Sequence, residues 1–130
     1  MRKRNSQRGA SAVEFAIILP ILLMLFFGIV DFGLLIYDKQ VITNASREGA
    51  RAGIVQRIPR MSAADIAGVV DAYAANHLVT FGSRTSPVTT VPSGSCAACG
   101  QDLVVSVSYS YNFLAVRTIP INAQTVMKCE

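Results

Sequence analysis

From Ala10 to Val30 the chain is apolar almost without relief, and Glu14 is the one ionisable residue in the run. At 1.5 Å rise per residue these 21 positions make a helix roughly 30 Å long, one hydrocarbon thickness, which predicts a single transmembrane helix. Past Val30 the apolar residues thin out but keep helical spacing. Phe32, Leu35, Ile36, Val41, Ile42, Ala45, Ala52 and Val55 fall on one predicted face, with Lys39, Gln40, Arg47 and Arg51 mostly elsewhere. Nothing breaks this pattern before Pro59, so one helix from about Ala10 to Val55, roughly 70 Å long, is expected. Pro20 lacks an N–H and its ring crowds the carbonyl of Ala16, so a kink or an unwound turn is expected there.

A second helix begins after Pro59. Ser62 with Asp65 three positions on is a capping-box start, and Asp65 suits the positive end of the helix dipole. Ile66, Val69, Val70, Tyr73, His77 and Leu78 trace its predicted buried face, and Gly82 is its expected stop. Ser, Thr, Pro, Gly and Cys dominate from Ser83 to Gln101, which reads as loop with at most a short strand at "VTTV". Period-2 alternation follows twice. Leu103, Val105, Val107, Tyr109 and Tyr111 share one face of a strand, and Ile119, Ile121, Ala123, Thr125 and Met127 share one face of the next. Six or so connecting residues make the pair an antiparallel hairpin, with "VTTV" as an edge strand. A lone hairpin is marginal in water, so its apolar face needs the two helices as a cover. The expected architecture is α+β: a long N-terminal transmembrane helix continuing as a spine, with a small head of one helix and a 2–3-stranded antiparallel sheet.

Charge sharpens this picture. The net charge is +4, and Arg2, Lys3, Arg4 and Arg8 supply all of it. No basic stripe survives outside the first eight residues, so a nucleic-acid partner is not expected. A basic cluster ahead of an apolar span instead places the N-terminus in the cytoplasm and the head across the membrane. The span is longer than a secretory h-region, and "FGIVDFGLLIYDKQ" beyond it offers no small-residue cleavage site. Glu14 lies near the cytoplasmic edge. There it either snorkels to the headgroups or serves a partner inside the membrane or a protease.

A basic leader ending in glycine, four small or apolar residues, then Glu and an aromatic, as in "RKRNSQRG–ASAVEF", resembles the type IV prepilin processing pattern. The scissile bond is then Gly9–Ala10, followed by Glu14 and Phe15. The whole stretch from Arg8 to Gly53 is similar to the TadE-like family, minor pseudopilins of tight-adherence (Tad) pilus systems. It shares Leu19–Pro20, Gly28-x-x-Asp31-Phe32-Gly33 and "NASREGARAG" from Asn44 to Gly53.

The resemblance implies a pilin-like fold. Residues 1–9 are then a leader, 10–31 the transmembrane helix, 32–58 its extracytoplasmic continuation and 59–130 the head. It implies cleavage by a membrane-embedded prepilin peptidase, after which Glu14 pairs with the new amine of Ala10, in the same chain or a neighbour. Pro20, Gly28, Asp31 and Gly33 become candidates for helix packing and assembly. Arg47, Glu48 and Arg51 are either a solvated face or a docking surface for a sibling pseudopilin. Sibling pseudopilins, the major pilin and inner-membrane lipid are the implied partners, and the location is the bacterial cytoplasmic membrane.

The cysteines stand apart from the resemblance. Cys96-Ala-Ala-Cys99 and Cys129 make an odd count for an oxidising compartment. A structural disulfide is expected, as Cys96–Cys99 or as one of them to Cys129, because this CxxC lies in a loop before a strand rather than opening a helix. His77 has no second histidine or carboxylate pair to join it in a metal site. No catalytic triad, phosphate loop or paired carboxylates stand out, so no enzyme activity, cofactor, metal or small-molecule substrate is expected. The rival readings are an uncleaved membrane-anchored periplasmic adaptor and a membrane-tethered thiol oxidoreductase using Cys96 and Cys99.

Overall fold

The computed structural model describes residues 5–80, 85–114 and 116–130, with the backbone alone at 5–8. Arg2, Lys3, Arg4 and the expected stop Gly82 lie outside the described residues. The elements are α1 (Asn5–Ile54), α2 (Ala63–His77), β1 (Val88–Thr90), β2 (Asp102–Phe113) and β3 (Arg117–Lys128). They form the expected α+β architecture, a single antiparallel sheet in the order β1-β2-β3 packed with α2 on the outer half of α1.

Helix α1 is continuous over 50 residues with Pro20 inside it. The expected unwound turn is absent: losing one N–H donor does not break a helix whose flanking turns are intact.

The buried face of the outer half differs from the sequence expectation. Asp31, Asp38, Val41, Ile42, Ala45, Ser46, Gly49, Ala50 and Gly53 are buried, whereas Phe32 (56% exposed), Ile36 (47%) and Val55 (44%) face outward. Hydrophobicity misassigned this face because Phe32 and Ile36 continue the apolar belt of the inner half. Val41, Ile42 and Ala45 are buried as expected, and polar and small residues complete the stripe on which the head sits.

Helix α2 starts as the sequence dictates. The Ser62 hydroxyl accepts from the Asp65 N–H at 3.2 Å, and the Asp65 carboxylate accepts from the Ser62 N–H at 3.0 Å. These reciprocal bonds satisfy helix-end donors and hold the Asp65 carboxyl below its ordinary range, the Ser62 side chain contributing most. The helix ends at His77, where the Leu78 N–H bonds the Ala74 carbonyl at 3.0 Å.

Its buried row is Ile66, Val70 and Ala74, with Leu78 buried just beyond it. Val69 and Tyr73 flank the row half-buried, and His77 is exposed, its ring stacked on Tyr73 at 4.7 Å. An i, i+4 row packs here because α2 rides in a groove of α1 made by glycine. A methyl at Gly49 would overlap Val70 Cγ2, and one at Gly53 would meet Ile66 Cδ1 of α2 at 2.7 Å and Leu103 Cδ2 of β2 at 2.6 Å.

The two long strands pair in full register, so Leu103, Val105, Val107, Tyr109 and Tyr111 stand opposite Met127, Thr125, Ala123, Ile121 and Ile119. The face predicted from alternation is the face that packs on the helices. The hairpin is tighter than expected. Pairing continues to Phe113↔Arg117 and leaves Leu114 and Val116 as the described turn residues, with the Val116 N–H on the Phe113 carbonyl at 3.0 Å. "VTTV" supplies β1, paired to Ser106–Ser108. Each buried Leu, Ile or Val of this core contributes about 1.5–3 kcal/mol.

Candidate functional site

The inner half of α1 carries the residues singled out for processing. Gly9, Ala10, Glu14 and Phe15 are all exposed on one uninterrupted helix, and none is covered by the head. Ala10 and Glu14 are one helical turn apart on the same face. Gly28 is half-buried and Gly33 exposed, and a methyl at either would meet nothing within 4 Å. The most apolar part of α1 buries none of its length against the rest of the chain. By length and composition this helix suggests a single-pass membrane anchor.

Asp31 lies where that belt meets the head, and it is fully buried. A buried carboxylate is costly unless both oxygens are satisfied. The Tyr111 hydroxyl donates to one and the Leu114 N–H to the other, while the same hydroxyl lies 3.3 Å from the Asp31 carbonyl. Burial first, then the Asp31 carboxylate, push the Tyr111 phenol well above its ordinary range, so it remains a donor. Two turns further on, Asp38 is likewise buried and accepts from the Val79 N–H at 2.9 Å. The two aspartates thus tie the hairpin tip and the end of α2 to the spine. Sequence reasoning placed Asp31 in helix packing and passed over Asp38. The available signal is the heptad step from Asp31 to Asp38 and again from Asp38 to Ala45.

Higher on the spine, Ser46 Oγ lies 2.7 Å from Thr125 Oγ1, and Lys39 donates to the Asn122 carbonyl. The "NASREGARAG" run divides by face. Ala45, Ser46, Gly49, Ala50 and Gly53 seat the head, and Arg47, Glu48 and Arg51 are exposed. At the distal end Cys96 is joined to Cys129 with a Cα–Cα separation of 5.7 Å, and Cys99 is free and exposed. The CxxC pair is therefore not a dithiol: its first sulfur ties the loop before β2 to the residue after β3.

An unburied apolar helix that continues into a spine and seats a small α+β head by buried aspartates defines the architectural class of this chain. The sequence model of the TadE-like protein family matches residues 9–51, so the chain carries a TadE-like segment over the apolar half of α1 and most of the spine. No curated protein and no solved structure matches the chain.

Proposed function

We propose that this protein is a minor pseudopilin, a structural component of Tad pilus assembly that prepilin peptidase cuts between Gly9 and Ala10 on the cytoplasmic side. The observation that carries the reading is the TadE-like segment itself: an unburied apolar helix in which Glu14 is the lone carboxylate between Ala10 and Val30. Cleavage creates an amine at Ala10 with a reference pKa of about 7.7–8, cationic at neutral pH. Glu14 then has a counter-charge in low dielectric, where a matched ion pair is far better than an unpaired one. Within one chain the pair spans a single turn. Between chains it staggers neighbouring helices by about four residues, roughly 6 Å.

The head then faces the extracytoplasmic side, where the Cys96–Cys129 bond suits an oxidising compartment. Arg47, Glu48 and Arg51 remain exposed for a sibling pseudopilin or the major pilin. The protein acts as a building or priming element and not as an enzyme. The thiol-oxidoreductase alternative loses its support because Cys96 is bonded outside the CxxC.

The test is complementation of a deletion strain, scored by filaments sheared from the cell surface. The wild-type chain and Cys99→Ser restore filaments, and Glu14→Ala does not. Normal filaments in the deletion strain itself would overturn the reading.

A further inference from the structure

The hairpin and the projecting helix have the same length. From Asp31 to Ile54 α1 rises roughly 35 Å, and each 12-residue strand extends about as far. The contacts keep them in step. Ile54 accepts from the Glu130 N–H at the distal end, Ser46 meets Thr125 and Lys39 meets Asn122 midway, and Asp31 holds Leu114 at the near end. The β2–β3 turn is therefore held level with Asp31, the first residue past the apolar span.

What the turn presents there is apolar. Val116 is 89% exposed and Leu114 38% exposed, beside half-buried Phe113 and exposed Arg117. Leu114 has a φ of +47°, a left-handed conformation that glycine or asparagine adopts at less cost. A leucine there is unfavourable for the turn and unfavourable in water. At the same level α1 exposes Phe32, Ile36 and Tyr37. Along the helix these lie within about 9 Å of Asp31, comparable to the interfacial layer of a bilayer, where aromatic rings concentrate.

We propose that the β2–β3 turn is a second membrane contact, with Leu114 and Val116 seated in the interfacial layer of the outer leaflet and Arg117 reaching the lipid phosphates. The occupant is lipid because the bond from Leu114 to Asp31 sets the patch level with the end of the apolar belt of α1, and because the patch carries a cation at its rim, as an anionic headgroup layer demands. This inference rests on the membrane reading of α1. With both contacts made, the spine cannot tilt freely, and the head fixed to it stands in one orientation to the membrane.

The chain contains no tryptophan, so one indole reports on one place. The full chain is reconstituted into phosphatidylcholine–phosphatidylglycerol vesicles as V116W, F26W or Q124W. Lipids brominated near the glycerol end or deep in the acyl chains quench from within the bilayer, and iodide quenches from the water. The F26W indole should be quenched by deep bromines, and the Q124W indole, on the sheet's exposed face, by iodide alone. The V116W indole should emit to the blue of Q124W, lose intensity to shallow bromines and resist iodide severalfold better. If F26W responds to lipid while V116W matches Q124W, the turn stays in water and the inference is overturned with the anchor intact. Protection of V116W from both quenchers would mean that protein covers the turn, which also overturns it. An F26W indole unresponsive to bromines would instead remove the membrane reading and this inference with it.

Discussion

Tyr111 and Asp31 stand 80 positions apart in the sequence and meet in a buried hydrogen bond, phenol to carboxylate, at the foot of the head. The contact converts a costly group in an apolar helix into the anchor point of a β-hairpin. Tyr111→Phe leaves that Asp31 oxygen without its donor and should cost about 1–3 kcal/mol. Urea unfolding of the head in detergent, followed by protease resistance, measures it. A double-mutant cycle with Asp31→Asn should return a coupling of about 0.5–3 kcal/mol, whereas additivity would show that the two groups act independently.

Glycine has opposite value on the two helices. Gly49→Ala drives a methyl into Val70 Cγ2 and should destabilise the head by about 1–3 kcal/mol. Gly68→Ala, exposed on α2 with nothing within 4 Å of the new methyl, should stabilise by about 0.5–1 kcal/mol. Thermal melts of the two variants should move in opposite directions.

The cysteines separate in the same way. Cys129→Ser opens a loop closed across a sequence separation of 33, worth roughly 3–4 kcal/mol by chain entropy. Cys99→Ser should leave stability unchanged. Thiol titration of the unreduced, denatured chain should find one free sulfhydryl, and mapping should place it at Cys99.

The capping box sets a pH dependence. Asp65 is held below its ordinary pKa in the folded chain, so the folded state binds fewer protons there than the unfolded one. Its contribution is present above about pH 4 and lost as pH falls through the lower folded value. Ser62→Ala should move the Asp65 titration back up toward that of a free aspartate, seen by NMR of its side-chain carbon, and cost about 1 kcal/mol through the lost cap.

Much of this fold is legible in the sequence because single-period patterns encode it. Leu103 to Tyr111 and Ile119 to Met127 alternate so cleanly that their shared face could be named outright, and Ser62 with Asp65 marks the start of α2. The spine face is legible by hydrophobicity only at Val41, Ile42 and Ala45. The rest of the seat includes Asp31, Asp38, Ser46, Gly49 and Gly53, whose roles depend on partners far along the chain: Tyr111, Val79, Thr125, Val70 and Leu103. Apolar Phe32 and Ile36 are exposed, and periodicity cannot tell an exposed apolar face from a core. The disulfide partner of Cys96 was equally beyond spacing, since it follows from the register that brings Cys129 beside the loop before β2.

The most direct test of the pseudopilin account is the intact mass and N-terminal sequence of the protein taken from its native membrane, beside Glu14→Ala. The account predicts a mature chain that begins at Ala10. A chain that still begins at residue 1, in cells whose prepilin peptidase is active on its other substrates, would contradict it.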